Sequence, residues 1–134
     1  MASIFTKIIQ GEIPCEKIIE TDSEIAFLDI MPCAEGHTLV IPKLEVKRLE
    51  DLPESEALSL MRTIQQVAKA VSSAFDGIDY NLILNNGVNA GQEVEHVHFH
   101  VLPRPQGSSR PFHKRTKYAE GEMQEVGAKI RNCL

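Results

Sequence analysis

The residues best suited to chemistry lie in one short run, His96-Val97-His98-Phe99-His100-Val101-Leu102-Pro103. Three of the chain's five histidines alternate there with β-branched or aromatic residues, the period-two pattern of a half-buried strand. His96, His98 and His100 are therefore expected on one face, with Val97, Phe99 and Val101 turned to a core. Alternate residues of a strand stand roughly 6.5–7 Å apart, so three imidazoles could surround one anionic group. Two chemistries fit such a row: a metal site, since His-x-His on a strand can ligate zinc, and nucleophilic attack by imidazole on phosphorus.

These residues must be positioned by a scaffold, and the chain's length and composition bound it. At 134 residues it is the size of one domain, and 43% hydrophobic and 25% charged residues are those of an ordinary globular protein. A net charge of −5 argues against generic nucleic-acid binding. Cys15, Cys33 and Cys133 are three and widely spaced, which suggests neither a disulfide framework nor a zinc ribbon. With no signal-like segment and no long apolar run, a cytoplasmic protein with no membrane partner is expected.

The element order follows from local patterns. Ile4, Phe5, Ile8 and Ile9 at helical spacing, with Ser3 as N-cap and Gly11 beyond, predict a short helix over 3–10. Cys15–Glu20 and Glu24–Asp29 read as a hairpin about Thr21-Asp22-Ser23, and Gly36–Pro42 as a strand entered at His37. An acidic helix start at 51–56 leads into a long amphipathic helix ending at Asp76-Gly77, with Ala57, Leu58, Met61, Ile64, Gln65, Ala68, Val71 and Phe75 as its buried stripe. Tyr80–Asn85 reads as a strand, and Asn85–Gln92 as a turn-rich loop whose amides could form an anion nest. Arg104, Arg110, His113, Lys114, Arg115 and Lys117 make a basic stretch placed to lean over an anionic ligand, and a short helix is expected within 118–130. This order favours an α+β domain on an antiparallel sheet of about five strands with one long helix and short terminal helices.

The His-φ-His-φ-His-φ-φ run at 96–102 resembles the signature of the histidine triad (HIT) superfamily. Residues 3–14, 27–30, 36–43 and 85–92 are similar to the corresponding segments of its Hint-like, bacterial-type branch. That resemblance implies a single HIT domain over 1–134, with 104–134 completing the site or a homodimer. It also implies hydrolysis at the α-phosphate of nucleoside phosphoramidates or related purine nucleotide conjugates through a nucleotidyl-histidine. The alternatives are a nucleotide-binding sensor with incidental hydrolysis and a dinucleoside polyphosphate hydrolase.

By the same resemblance His98 is the nucleophile, His100 and His37 stand near the phosphate oxygens, and His96 orients the nucleophile. Ile4, Phe5, Ile8, Ile13, Phe27 and Ile30 wall the base pocket, Asp29 holds the ribose hydroxyls, and Asn85, Gly91, Gln92 and Glu93 form the phosphate loop. An AMP-like purine nucleotide is the implied ligand, and no cofactor is expected. Where many bacterial relatives hold a structural zinc, this chain has Ser3, Thr6 and Glu45 beside His96, so no metal is expected there. Glu93 replaces a hydroxyl residue that contacts the leaving group in eukaryotic members.

Overall fold

In the computed structural model, residues 2–108 and 114–134 are described; Arg110 and His113 of the basic stretch lie outside them. Three helices, α1 (Ile4–Ile9), α2 (Glu54–Ala74) and α3 (Glu122–Arg131), accompany one antiparallel sheet. Its strands are β1 (Lys17–Glu20), β2 (Glu24–Leu28), β3 (Thr38–Pro42), β4 (Asp79–Leu84) and β5 (Phe99–Arg104). Their order is β1-β2-β3-β5-β4, so the histidine-bearing strand is inserted between β3 and β4.

Strand alternation divides the interior into two layers. Ala26, Leu28, Val40, Val97, Phe99 and Val101 face α2 and α3, where they pack against Leu60, Ile64, Val67, Val71, Val126 and Ile130. Ile25, Phe27, Leu39 and Ile41 face the other way and are covered by Phe5 of α1. Because β2 and β3 are buried on both faces, a helix of only six residues gains its stability by docking. Ser3 caps it by accepting a hydrogen bond from the Thr6 amide at 3.0 Å.

Three sequence expectations need correction. The histidine run does not begin as ladder: β3 and β4 both end their pairing with β5 at Phe99. His96 and His98 precede that point and are held by tertiary bonds, such as that from the Val97 amide to the Val46 carbonyl. On α2, Leu58 and Met61 are exposed and Gln65 is solvent-facing. Ile64, Ala68 and Val71 are buried as expected, and Leu60, Thr63, Val67, Ala70 and Ala74 complete the stripe in place of Leu58, Met61 and Gln65. The C-terminal helix starts at Glu122 rather than 118, because Tyr118 is held as coil with its hydroxyl oxygen accepting from the Gly36 amide at 3.0 Å.

Candidate active site

β5 carries His100 onto the same sheet face as Leu39 and Ile83, its partners in register. His98 joins it from the residue just before the ladder, with ring centroids 5.0 Å apart. Phe5 of α1 meets the His98 ring edge-on at 4.9 Å. In front of the two rings lies a cavity of about 460 Å³, lined by Ile4, Phe5, Asp29, Ile30, Asn85, Gly91, Glu93, His98, His100 and four further residues. Those four are Met31, Leu39, Val94 and Arg115. An apolar cavity with a few convergent polar groups is the usual form of a small-molecule site.

The remaining candidate residues stand behind this wall. Phe27 packs against Phe5 with ring centroids 5.7 Å apart, and Ile8 joins the same apolar layer. Ile13 is half-buried beyond the end of α1 and does not line the cavity. Gln92 turns away from the cavity to brace the loop, accepting from the Gly87 amide at 2.7 Å and donating to the carbonyls of Lys47 and Val94. His96 and His37 are almost fully buried, so two imidazoles, not three, face the cavity.

Backbone groups set the proton positions on His98 and His37, and through His37 on His100. The His98 Nδ1 lies 2.7 Å from the His96 carbonyl; a carbonyl only accepts, so Nδ1 carries the proton and Nε2 of the neutral ring keeps its lone pair. Among the described residues that Nε2 has no hydrogen-bond partner, and it is not a buried orphan either. The Cys33 amide donates to His37 Nδ1 at 3.1 Å, which leaves the His37 proton on Nε2. That nitrogen stands 2.9 Å from His100 Nδ1, so neutral His100 carries its own proton on Nε2. The cavity is thus offered one lone pair, from His98, and one N–H donor, from His100.

Burial keeps these rings uncharged. It is the largest cause holding His98 and His96 below the ordinary imidazole value. His100 is pushed down to about 3 by burial and by the neighbouring His37 and His98. His37 is pushed down to about 4 by burial, with Asp29 opposing. Asp29 accepts from the Met31 amide at 2.9 Å through one oxygen and from Arg115 at 2.7 Å through the other. Among the described residues of the basic stretch, Arg115 is the one seated at the cavity, donating to Asp29 and to the Met31 carbonyl at 2.8 Å.

Neither triad-based nor zinc-type metal binding fits the donors present. Both His96 nitrogens are engaged, Nε2 with the Pro42 carbonyl at 2.8 Å and Nδ1 with the Ser3 hydroxyl at 2.8 Å, so the three triad rings do not converge. Asp29, His37 and His100 bring ligand atoms within 4.8 Å of one another, but the two rings already share a hydrogen bond and Asp29 is paired with Arg115. Beside the start of α1, the Ser3 and Thr6 hydroxyls, the Glu45 carboxylate and His96 bond to one another. Two neutral hydroxyls and a carboxylate are not the nitrogen and thiolate set a structural zinc uses.

An open antiparallel sheet with paired imidazoles over a nucleotide-sized cavity defines the class of protein known as the HIT domain. The chain belongs to that family, whose model matches residues 10–107. Among its relatives is an adenosine 5′-monophosphoramidase of Schizosaccharomyces pombe, 42% identical over 105 residues, which cover 78% of this chain and 76% of that protein. A Hit-like protein from Bartonella henselae superposes with a TM-score of 0.89 at 38% identity, covering 98% of this chain and 96% of the other. A zinc-bound histidine triad protein from Mycobacterium smegmatis gives a TM-score of 0.86 at 32% identity, covering 99% and 93%.

Proposed function

We propose that the protein hydrolyses nucleoside 5′-phosphoramidates, or closely related purine nucleotide conjugates, at the α-phosphorus. The observation that carries this is the pairing of an unshared lone pair on His98 Nε2 with an N–H donor on His100, side by side on the cavity wall. A neutral, desolvated imidazole is a competent nucleophile, and a fixed N–H donor stabilises charge on a phosphoryl oxygen. His98 Nε2 attacks phosphorus, the P–N bond breaks, and the amine leaves with a proton taken from solvent water. Water then attacks the nucleotidyl-His98 and gives up a proton to solvent, the N–P bond breaks to return neutral His98, and the nucleoside monophosphate departs.

The rest of the cavity supports the same substrate class. Ile4, Phe5, Ile30 and Leu39 supply an apolar slot for a base, and Asp29 offers a carboxylate for a diol. His37 is proposed to act through His100, and His96 through its carbonyl on His98. The relative in Schizosaccharomyces pombe is named for phosphoramidase activity, which supports hydrolysis over transfer. The cytoplasm is the proposed compartment, and among the described residues no helix is long and apolar enough to cross a membrane.

The test is turnover of adenosine 5′-phosphoramidate by wild type and His98→Ala. Loss of a covalent nucleophile is expected to lower kcat by at least about a thousandfold; equal rates would remove His98 from the role. A second reading, nucleotide sensing with incidental hydrolysis, draws on Arg115 occupying Asp29 and on Glu93 at the cavity rim. Tight AMP binding with negligible turnover by the wild type would favour it.

A homodimer is part of the same proposal. β4 is an edge strand, and Tyr80 and Leu82 on it, with Leu58 and Met61 on α2, are exposed apolar side chains. An unpaired, apolar edge of this kind is stabilised by pairing.

A further inference from the structure

The His98 Nδ1 proton rests on the His96 carbonyl, yet no strand ladder fixes that carbonyl, because pairing with both neighbours of β5 stops at Phe99. Residue 96 is held by the Val97 amide on the Val46 carbonyl and by its own amide on the Val94 carbonyl, and its ring adds a third and a fourth tie. Nε2–H donates to the Pro42 carbonyl at the end of β3, which leaves Nδ1 as an acceptor. The Ser3 hydroxyl, 2.8 Å away, supplies the proton to that acceptor. Ser3 is in turn held twice. Its oxygen accepts from the Thr6 amide at 3.0 Å, and its own amide donates to Glu45 Oε1 at 2.8 Å. The same Glu45 oxygen accepts from the Thr6 hydroxyl at 2.5 Å. A polar chain therefore runs from an exposed carboxylate, through the cap of α1, to a buried imidazole and on to the cavity.

We infer that Ser3, anchored by Thr6 and Glu45, is a positioning residue that fixes the His96 ring and, through the His96 carbonyl, aims the His98 lone pair at the substrate phosphorus. Hydroxyl and carboxylate groups thus perform here, by hydrogen bonding alone, the ring-fixing that a bound metal could otherwise perform. The inference rests on His98 being the nucleophile. Ser3 touches no reacting atom, so its loss should slow the chemical step and leave substrate affinity alone.

The experiment uses the full chain, uniformly labelled with nitrogen-15 histidine, as wild type, Ser3→Ala, Ser3→Thr, Ser3→Asp and Glu45→Gln, with adenosine 5′-phosphoramidate as substrate. Ser3→Ala is expected to lower kcat about tenfold, the value of one lost hydrogen bond, with KM within about twofold. Ser3→Thr should restore the rate, and Glu45→Gln should lower it about threefold by weakening a charge-assisted contact. Ser3→Asp keeps the helix cap but cannot donate to His96; a wild-type rate in that variant would mean that the cap alone matters and would overturn the inference. In the histidine spectrum, Ser3→Ala should move the His96 Nδ1 resonance toward that of a free acceptor and shift His98 as well. Ring signals unchanged from wild type in Ser3→Ala and Glu45→Gln would also overturn it. Absence of turnover by the wild type would instead count against the proposed hydrolysis, while the ring signals would still decide whether Ser3 positions His98.

Discussion

At the scale of single residues, the site works by denying protons to imidazoles. His37, His96, His98 and His100 are all held below their usual value, chiefly by burial. The unfolded chain therefore takes up more protons than the folded one between the ordinary imidazole value and the depressed ones, and stability must rise with pH through that window. The contribution is complete above about pH 6.5 and is lost progressively as pH falls toward the folded values, about 4 for His37 and about 3 for His100. Urea unfolding midpoints measured from pH 7 down to 4 should fall steadily; a flat profile would mean that the rings are solvated. Turnover should persist on the acid side beyond where a free imidazole loses activity, because His98 keeps its lone pair there.

At the scale of elements, a strand end, a cap and a loop must each be placed for these rings to meet. Gly36, just ahead of His37, has φ +90°, and a Cβ there would lie 2.6 Å from the Phe75 ring. Gly36→Ala should cost about 1–3 kcal/mol through backbone strain and overpacking, read as a lowered urea midpoint with a matching loss of activity. With Ser3 and Thr6 bonded to Glu45 rather than offering thiolates, purified protein is expected to carry far less than one zinc per chain by elemental analysis and to keep full turnover in chelator. Stoichiometric zinc would refute this.

Much of this layer was legible beforehand, because capping, hairpin polarity and His-x-His alternation are local signals: Ser3 caps α1, and His98 and His100 share the cavity. Other features depend on partners distant in sequence. Where β5 begins depends on where its pairing with two distant strands stops, at Val40 and Leu84, although β3 itself runs on to Pro42. Leu58, Leu60 and Met61 are equally apolar, so only the packed sheet selects Leu60 as the buried one. The apposition of Arg115 with Asp29 spans 86 positions, and no periodicity marks it.

At the scale of the whole molecule, the two edges of the sheet are treated differently. β1 is flanked by α3, whose Arg131 donates to the Lys17 carbonyl at 2.7 Å, whereas β4 presents Tyr80 and Leu82 outward. If two copies meet there, Leu82→Arg should halve the mass measured by sedimentation equilibrium at micromolar concentration, since a guanidinium in an apolar interface is costly to desolvate. A monomeric wild type would dispose of the homodimer.

The strand order also governs how the chain can be built. β5 is the last strand made, yet it lies inside the sheet, between β3 and β4. A nascent polypeptide that has emerged only as far as Leu84 has no completed neighbour for β4, which must wait until Phe99 to Arg104 arrive and are threaded into the gap. Contacts across such sequence distances close slowly. The wall that carries His98 and His100 therefore closes only after β5 has emerged, and a ribosome-stalled fragment ending at Leu84, which lacks both rings, is expected to bind no nucleotide.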